Sequence, residues 1–566
     1  MSPAAYTNGY NPIAANDFSG GLNVRDKADA VDAKEAIDLL NVTFTDRGAV
    51  RQRDGIVDLT ASDLSARVNS MSPYETAAGL RHLVAALDDG SLVALGRDGV
   101  PVSTIGGLAG AACTFARFGS PTAEYLYIAN GIDTMRRWDG IGWADGSVLA
   151  TVDGVAGRAM PKAGAVCVTA QAPGFTAANN ANNRLVATAF GTQTNAGPGG
   201  TATNPSIAYF SNPGQPHTWE TDGAQVGGAT PTVRGRNFVN FTPGDGEQIM
   251  ACCSWRELTF IFKETKFFVI WGESTNTDGT PVFNYREVVN QAGLRVRHAL
   301  CVGRDGVYFA NYRGVYVTQG GEPKLLSDLV KPIWSQDPDV YFQSAPINLA
   351  AYSKARAHWH LERFYLAIPT GDNTANDRVL SYDVNYKWWT LYDLPAAALA
   401  TFRSGDTPEL HLAYSGARGF PPRIGHLPFG AVTDRGGVIT SRWRSGWADD
   451  GQSVQRTQRE AKVWGTGAVV VCFSTDFDLN SRGDVDTALS LGRPWPSDGA
   501  GTWNDWLALT GDKWPAQPGQ NDDALVRYAI RGTVFSIEFE NSPQAASWSV
   551  HRLARHIRET REASIR

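Results

Sequence analysis

The chain has 566 residues, more than one hydrophobic core accommodates, which predicts two or three domains. Aromatic residues make up 10% of it, and its 17 Trp and 18 Tyr favour sheets, where flat rings pack on a pleated surface. Only 19% of the residues are charged, which suggests that neighbouring subunits cover part of the surface. The formal net charge of −6 and the pI of 5.9 argue against tight sequence-specific DNA binding, which normally requires a basic patch.

Residues 1–60 are predicted to form an N-terminal arm with one short helix. Asp32 offers a helix N-cap, Glu35 completes a pair like a capping box, and apolar residues recur on one helical face. These apolar residues are Ala33, Ala36, Ile37 and Leu40. After the helix, the first strand pair is predicted at Val42–Thr45 and Ala49–Arg53.

Residues 61–430 repeat one pattern seven times, in which two strand-like apolar runs flank a turn of Gly, Asn or Asp. The clearest copy runs from Gly306 to Val317, with Asn311 and Gly314 in its turn. The other copies are centred on Leu80–Leu95, Tyr125–Trp138, Arg184–Phe210, Leu258–Trp271, Phe364–Tyr392 and Leu410–His426. Hairpins repeated at this period are typical of a β-propeller, and their number predicts six to eight blades. Residues 171–204, rich in Ala, Asn, Gly and Thr, are predicted to be an insertion loop, either a contact loop or a solvated spacer.

Longer strand candidates in residues 431–566 predict a C-terminal module that resembles a β-sandwich. The candidates are Val438–Trp443, Gln458–Trp464, Ala468–Phe473 and Val534–Phe539. The chain ends in a basic tail, whose last 16 residues hold five Arg against two Glu. Val550, Leu553 and Ile557 share a helical face, so the tail is predicted to be an amphipathic helix. Such a tail is more often solvated than bound to phosphate or to an acidic partner.

Signatures of catalysis and of targeting are absent from the sequence. It contains no GxxxxGK[ST], no GxGxxG between a strand and a helix, no HExxH and no GxSxG. The six Cys form no CxxC pair, which predicts buried free thiols and folding in the cytosol. The segment from Met1 to Phe18 lacks the pattern of a signal peptide, and no apolar run is long enough to span a membrane.

Two patterns of metal-ligating residues fit poorly. His358, His360 and Glu362 share one face of a strand, but three ligands in a row do not surround a tetrahedral ion. The run Asp476–Asn480 begins like a calcium loop, yet Thr487 stands where a bidentate Glu is required. A structural role is the better interpretation of both.

Two further segments approach the repeat of sialidases. Ser211–Trp219 and Ser497–Trp503 lack its spacing, and a single sequence does not reveal a pair of carboxyl groups facing one sugar. We therefore predict that this chain is not an enzyme and has no catalytic, cofactor-binding or metal-binding residues.

A series of short segments occurs in order between residues 15 and 335. They are Phe18–Val24, Ala36–Phe44, Arg47–Gly55, Tyr127–Gly131 with Trp138–Gly140, Arg184–Ala187, Ala208–Gly214 with Trp219, Phe262–Glu264, Gly306–Phe309 and Gly314–Tyr316. In this order they resemble the tail nozzle proteins, also called tail tubular proteins, of short-tailed bacteriophages. Each segment alone is a weak signal, and none is catalytic.

The resemblance implies a homo-hexameric ring in the virion tail, made in the host cytoplasm and placed below the portal and the head-to-tail adaptor. Its channel would retain the double-stranded genome and conduct it during ejection, and tail fibres or tailspikes would dock nearby. DNA contact would be weak and non-specific, because an acidic surface releases few counterions from DNA. No cofactor and no membrane insertion by this chain are expected.

Two other functions remain open from the sequence. One is a glycan-binding or glycan-cleaving β-propeller that acts on host surface polysaccharide. The other is a different head-tail connector or a baseplate hub protein.

Overall fold

The computed structural model describes residues 11–110, 112–119, 124–145, 150–169, 183–221, 237–275, 281–289, 292–335, 346–448, 456–475, 478–483, 488–491, 522–532, 534–541 and 548–559. Strands dominate this part of the chain, and its helices are short 3-10 turns. These turns are Pro198–Gly200, Asp328–Trp334, Leu349–Lys354 and Ala417–Gly419. The protein is therefore mainly β, as its aromatic composition predicts.

The described part of residues 57–427 forms seven small sheets, which follow one another along the chain. The first sheet consists of Val68–Glu75, Arg81–Leu87, Leu92–Leu95 and Pro101–Ile105. The second consists of Thr114–Gly119, Glu124–Ala129, Arg136–Trp138 and Trp143–Asp145. The third is larger and consists of Ala150–Val152, Val155–Arg158, Ala165–Val168, Leu185–Thr188, Ile207–Asn212, Gln215–Trp219 and Phe238–Asn240.

The remaining sheets again have four strands each. The fourth consists of Ile249–Trp255, Leu258–Lys263, Lys266–Thr275 and Pro281–Val289. The fifth consists of Leu300–Val302, Val307–Asn311, Gly314–Thr318 and Lys324–Leu325. The sixth consists of Arg356–His360, Arg363–Ile368, Arg378–Asp383 and Trp389–Tyr392. The seventh consists of Ala396–Phe402, Glu409–Tyr414, Ile424–Leu427 and, from far upstream, Val57–Asp58.

These sheets close into a propeller-like arrangement, which we call the sheet ring. One edge strand of each sheet contacts the edge strand of the next, and Ala396–Phe402 of the seventh contacts Val68–Glu75 of the first. Each repeated hairpin identified in the sequence lies in a different sheet, and its strands are hydrogen-bonded neighbours there. The hairpin pattern is thereby confirmed, because short turns bring sequence neighbours together as antiparallel strands.

The seventh sheet is completed by a strand that precedes the first sheet in the chain. Val57 pairs with His426, and Asp58 pairs with Gly425. The carboxylate of Asp58 accepts a hydrogen bond of 2.6 Å from the Tyr414 hydroxyl and bonds of 3.2 and 3.0 Å from Arg423 and Arg435. The two ends of the sheet ring are therefore fastened to each other within one sheet.

A second assembly of strands combines both ends of the chain, and we call it the terminal sheet. Its strands are Asn11–Ala15, Gly21–Leu22, Glu35–Leu40, Val42–Phe44, Val50–Gln52, Arg442–Ser445, Arg456–Thr475, Asp478–Gly483, Ala488–Leu491, Asp522–Gly532, Phe535–Asn541 and Ser549–Glu559. The separate pair Thr433–Asp434 and Gly437–Val438 lies between it and the sheet ring in sequence. The strands predicted near 42–53, 458–473 and 534–539 are found, although 458–473 lies within one continuous strand.

Aromatic rings form the core of the terminal sheet. The ring of Phe18 meets those of Trp443 and Phe539 edge-on, with centroids 5.3 and 5.6 Å apart. The rings of Trp443 and Phe539 stack at 5.4 Å, and all three side chains are at most 1% exposed. Edge-to-face and offset-stacked geometries are the favourable ones for aromatic pairs.

The helix predicted near Asp32 is wrong, because Glu35–Leu40 is a strand. Its pairing with Arg442–Ser445 contains a β-bulge: Ala36 lies opposite Ser445, whereas Asp38 already lies opposite Arg444. The extra residue turns Ala36 and Leu39 to the same side, where both are buried. A spacing of three between buried residues therefore imitates one turn of a helix.

The helix predicted for the basic tail is also wrong, for the same physical reason. Ser549–Glu559 is a strand that pairs with Arg456–Thr475. Val550 lies opposite Gly465 and Arg552 opposite Trp464, so a bulge again separates two buried residues, Val550 and Leu553, by three positions.

The predicted insertion at 171–204 is wrong in part. Leu185–Thr188 is a fully buried strand of the third sheet, between Ala165–Val168 and Ile207–Asn212. Residues 171–182 lie outside the described residues, as do Ser497–Trp503, Thr487 and the end of the basic tail.

Candidate functional site

A cavity of about 310 Å³ lies on the axis of the sheet ring, since strands of every sheet in the ring contribute to its wall. We call it the axial cavity. Two arginines line it: the partly buried Arg297 donates to the Met250 carbonyl at 3.2 Å, and the buried Arg356 donates to Asn69 Oδ1 at 2.8 Å. Burial lowers the pKa of Arg356 to about 10. A cavity of this volume has room only for small molecules such as water. A DNA duplex does not fit, because its major groove alone is about 12 Å wide.

Four cysteines also line the axial cavity: Cys113, Cys252, Cys253 and Cys301. All six cysteines of the chain lie within the described residues and are free, as the sequence predicts. Burial raises the pKa of Cys113 to about 12, and it raises the pKa of Cys252 and Cys253 as well. Thiols that stay protonated are poor nucleophiles and poor metal ligands, so these residues act as small packing groups.

The histidine pair considered in the sequence is held by one hydroxyl group. The imidazoles of His358 and His360 each form a hydrogen bond with Thr401 Oγ1, at 2.9 and 3.0 Å. Burial lowers the pKa of His358 to about 3 and that of His360 to about 4, so both rings are neutral at pH 7. Glu362 lies in the turn after this strand and pairs with Arg304 at 2.9 Å, away from the two rings. The pair therefore joins the sixth and seventh sheets.

Sequence reasoning missed a more compact cluster on the seventh sheet: Glu409, His411 and His426, which we call the Glu409 cluster. One potential ligand atom from each residue lies within 4.8 Å of the others. Glu409 and His411 occupy alternate positions of one strand and thus share a face, and His426 lies directly opposite His411 on the next strand. The motif Glu-x-His within a predicted strand could have indicated two of the three residues.

The Glu409 cluster is built around a buried imidazole. His411 is fully buried, and its Nδ1 donates to the Glu409 carbonyl at 3.1 Å. His426 Nδ1 forms a hydrogen bond of 2.6 Å with Glu409 Oε2. The rings of His411 and His426 stack with centroids 5.3 Å apart. Burial lowers the pKa of His411 to about 4.

A second cavity, of about 610 Å³, adjoins this cluster through Glu409. Its wall also includes cationic, aromatic and imidazole side chains, namely Arg51, Arg53, His360, Arg363, Tyr365, Tyr392 and Phe429. The cavity thus combines cationic and aromatic groups with the carboxylates of Asp54 and Glu409, and it lies between the sheet ring and the N-terminal strands.

Two charged residues, Arg184 and Lys263, hold neighbouring sheets of the ring together. Arg184 forms a two-pronged ion pair with Glu273 at 2.7 and 3.0 Å and donates to the Ser211 carbonyl at 2.8 Å. Lys263 is completely buried, with its Nζ 2.8 Å from Asp245 Oδ2 and 2.9 Å from Ser206 Oγ. Buried charges persist only where such partners compensate for lost hydration, so these positions stabilise the fold.

The sialidase-like segment Ser211–Trp219 is a hairpin in the third sheet, and its Trp219 is fully buried. The Asp476–Asn480 run is described only from Asp478, which begins a strand of the terminal sheet.

No protein-family model and no curated protein matches the chain. Among solved structures, it is similar to BBS1N in complex with ARL6DN, in crystals soaked with lead (TM-score 0.40, 15% identity) or mercury (TM-score 0.37, 12% identity). Each of these matches covers 67% of this chain and 99% of the other. It is also similar to Raptor of Chaetomium thermophilum, with a TM-score of 0.36, 11% identity, and coverage of 66% of this chain and 29% of the other. TM-scores this low carry no argument about function.

Within the described ranges, no helix is both long and apolar enough to cross a lipid bilayer.

Proposed function

We propose that this protein is a structural component of a bacteriophage tail, a nozzle ring that forms part of the channel for genomic DNA. In this proposal each subunit carries a seven-bladed β-propeller and a terminal β module, and six subunits surround the channel. The ring retains the genome in the virion, conducts it during ejection, and provides docking surfaces for the adaptor and for fibres or tailspikes.

The observation that carries the proposal is the order of the nozzle-like segments, combined with where they lie in the fold. The segments Phe18–Val24, Ala36–Phe44 and Arg47–Gly55 cross the terminal sheet and lead to the strand that closes the sheet ring. Arg184 and Lys263 supply buried ion pairs within that ring. A similarity concentrated at positions that fix the architecture supports a shared structural role.

The size of the axial cavity supports a channel formed between subunits. A cavity of about 310 Å³ does not admit a duplex, so DNA would pass along the symmetry axis of an assembly. Repetition of one contact around a rotation axis gives a closed ring. The net charge of −6 favours a wall over which phosphates slide without tight binding.

The oligomeric state of the purified full chain tests the proposal. Analytical ultracentrifugation should give a species of about 366 kDa, six times the chain mass of 61.0 kDa, and negative-stain images should show a ring with an open centre. The purified adaptor of the same phage should increase the fraction of rings. A stable monomer at all concentrations, with and without adaptor, would contradict the proposal.

Incubation with host surface polysaccharide distinguishes the alternative of a glycan-directed propeller. We expect no release of reducing ends and no retention on immobilised polysaccharide. If the protein forms no rings and still releases reducing ends, the structural role would be replaced by an enzymatic one.

A further inference from the structure

One ring nitrogen in the Glu409 cluster, His411 Nε2, is buried and receives no hydrogen bond from the described residues. A carbonyl oxygen only accepts, so the contact between His411 Nδ1 and the Glu409 carbonyl fixes the proton on Nδ1. The other ring nitrogen, Nε2, then carries a lone pair, and it is buried with no hydrogen-bond partner among the described residues. Buried polar atoms normally have partners, so this nitrogen requires an explanation.

The same arrangement is typical of metal-ligating histidines. Such a residue donates one ring N–H to a carbonyl or carboxylate, which orients the ring and leaves the second nitrogen for the metal. A ring nitrogen of His411 lies within 4.8 Å of a carboxylate oxygen of Glu409 and of a ring nitrogen of His426. Two imidazoles and one carboxylate form a ligand set that suits Zn²⁺ and related divalent transition metals.

We propose that Glu409, His411 and His426 bind one divalent transition-metal ion, with Zn²⁺ as the best fit to the ligand set. His411 Nε2, one oxygen of Glu409 and one ring nitrogen of His426 supply three ligands. The fourth position remains for water or for a group from the adjoining cavity, which Glu409 also lines.

Small rotations of the Glu409 and His426 side chains would bring the ligand atoms to the spacing of a tetrahedral zinc site. Zinc bonds of about 2.0–2.2 Å in a tetrahedron place ligand atoms roughly 3.4 Å apart. One potential ligand atom of each residue already lies within 4.8 Å of the others, and His426 Nδ1 and Glu409 Oε2 are 2.6 Å apart. Glu409 and His426 are partly exposed, so they can adjust, whereas His411 is fixed by burial and by its backbone contact.

The proposed ion would connect two strands at the closure of the sheet ring. His426 is the residue that pairs with Val57 of the closing strand, and Glu409 and His411 lie on the neighbouring strand. A bound ion would therefore stabilise the seventh sheet where the two ends of the ring meet. This inference does not depend on the proposed tail function.

Metal titration of the full chain tests the inference. After removal of metals with a chelator, calorimetry with ZnCl₂ should show one ion per chain, and Zn²⁺ should raise the melting temperature. Co²⁺ should give the visible absorption of a tetrahedral site with nitrogen and oxygen ligands. Glu409→Gln, His411→Gln and His426→Gln should each weaken Zn²⁺ binding by roughly 100-fold or more, beyond the effect typical of second-shell changes.

His551→Gln is the matched control, because His551 is a partly buried histidine of the terminal sheet that contacts Ser549. Its affinity for Zn²⁺ should equal that of the wild type. Absence of stoichiometric binding by the wild type would overturn the inference, as would equal affinity in Glu409→Gln and His426→Gln. These two substitutions decide the question even if His411→Gln fails to fold, since their side chains are partly exposed.

Discussion

The sheet ring and the terminal sheet are both mainly antiparallel, with one parallel pair described in each, but their strands pair over different distances along the chain. In the ring, almost every strand pairs with the strand next to it in the chain, and buried apolar side chains fill the space between sheets. In the terminal sheet, Glu35–Leu40 pairs with Arg442–Ser445, about 400 residues away, and charged side chains are buried in the interface. Local pairing costs little loop-closure entropy, whereas distant pairing requires both ends of the chain to be in place.

The buried charges of the terminal sheet form one network. Arg442 pairs with Asp38 at 2.7 Å, and Arg444 pairs with Glu538 through its Nε at 2.9 Å. Burial raises the pKa of Asp38 and raises that of Glu538 to about 7, although the arginines oppose both shifts. Such a network fixes register but makes stability sensitive to the loss of any one member.

The largest effect is expected from truncating a core tryptophan in each region. Trp443→Ala and Trp138→Ala each remove a fully buried indole and should each cost about 4 kcal/mol of unfolding free energy. Hydrogen exchange with mass spectrometry should show the loss of protection mainly in the terminal sheet for Trp443→Ala and mainly in the first and second sheets for Trp138→Ala. Equal loss everywhere in both variants would mean that the two regions unfold as one unit.

Removal of one buried carboxylate should have the next largest effect. Glu538→Ala leaves Arg444 buried without that carboxylate and should destabilise the terminal sheet by about 3 kcal/mol, measured by urea denaturation. Glu538→Gln preserves the size of the side chain and serves as the control for charge. If Glu538→Gln and Glu538→Ala are both as stable as the wild type, the buried charge network does not contribute to stability.

Acidification should affect the two regions with opposite sign. The folded-state pKa values of His358 and His360, about 3 and about 4, lie below the unfolded value of 6.5. The unfolded chain therefore takes up protons first, and the sixth sheet should lose stability as the pH falls from 6.5 to 4. Glu538, with a folded pKa of about 7, takes up its proton first when folded, so its contribution rises as the pH falls from 7 to 4.5.

Hydrogen exchange corrected for intrinsic rates measures this difference at pH 7.5 and pH 5. Protection of 356–392 should fall, and protection of 535–541 should not. The double variant His358→Gln, His360→Gln should lose most of the pH dependence of 356–392. If the pH dependence is unchanged in that variant, titratable groups other than His358 and His360 cause it.

The smallest effect is expected at the closure of the sheet ring. Asp58→Asn weakens contacts with the buried Tyr414 and with the partly exposed Arg423 and Arg435, and it should cost about 1 kcal/mol. Hydrogen exchange should show that the amides of residues 424–427 exchange faster in Asp58→Asn than in the wild type. Asp63→Asn, which touches Arg423 from a more exposed position, is the control and should have little effect.

The difference between the two regions also explains which strands can be predicted from the sequence and which cannot. The seven hairpins could be found because each pairing is local and joins two apolar runs around a turn. The strands Glu35–Leu40 and Ser549–Glu559 could not, because a bulge in each separates buried residues by three and so imitates helical spacing. Neither bulge has a local signal, since each depends on a partner strand that is distant in sequence.

The Glu409 cluster was missed for a related reason. The spacing of Glu409 and His411 is visible in the sequence, but the position of His426 depends on the register of two strands. The pair His358 and His360 showed an equally good spacing, and the structure joins both rings to the Thr401 hydroxyl instead.

The closing strand Val57–Asp58 also constrains the order of events during synthesis. Its partner Ile424–Leu427 leaves the ribosome about 370 residues later, which takes roughly 20–70 s at the usual rates of translation. Until then the first sheets exist without their closure, and the terminal sheet waits longer still, for the strand that ends at Glu559. A chain that terminates before Ile424 therefore lacks both fastenings, and this favours its removal by cellular proteases.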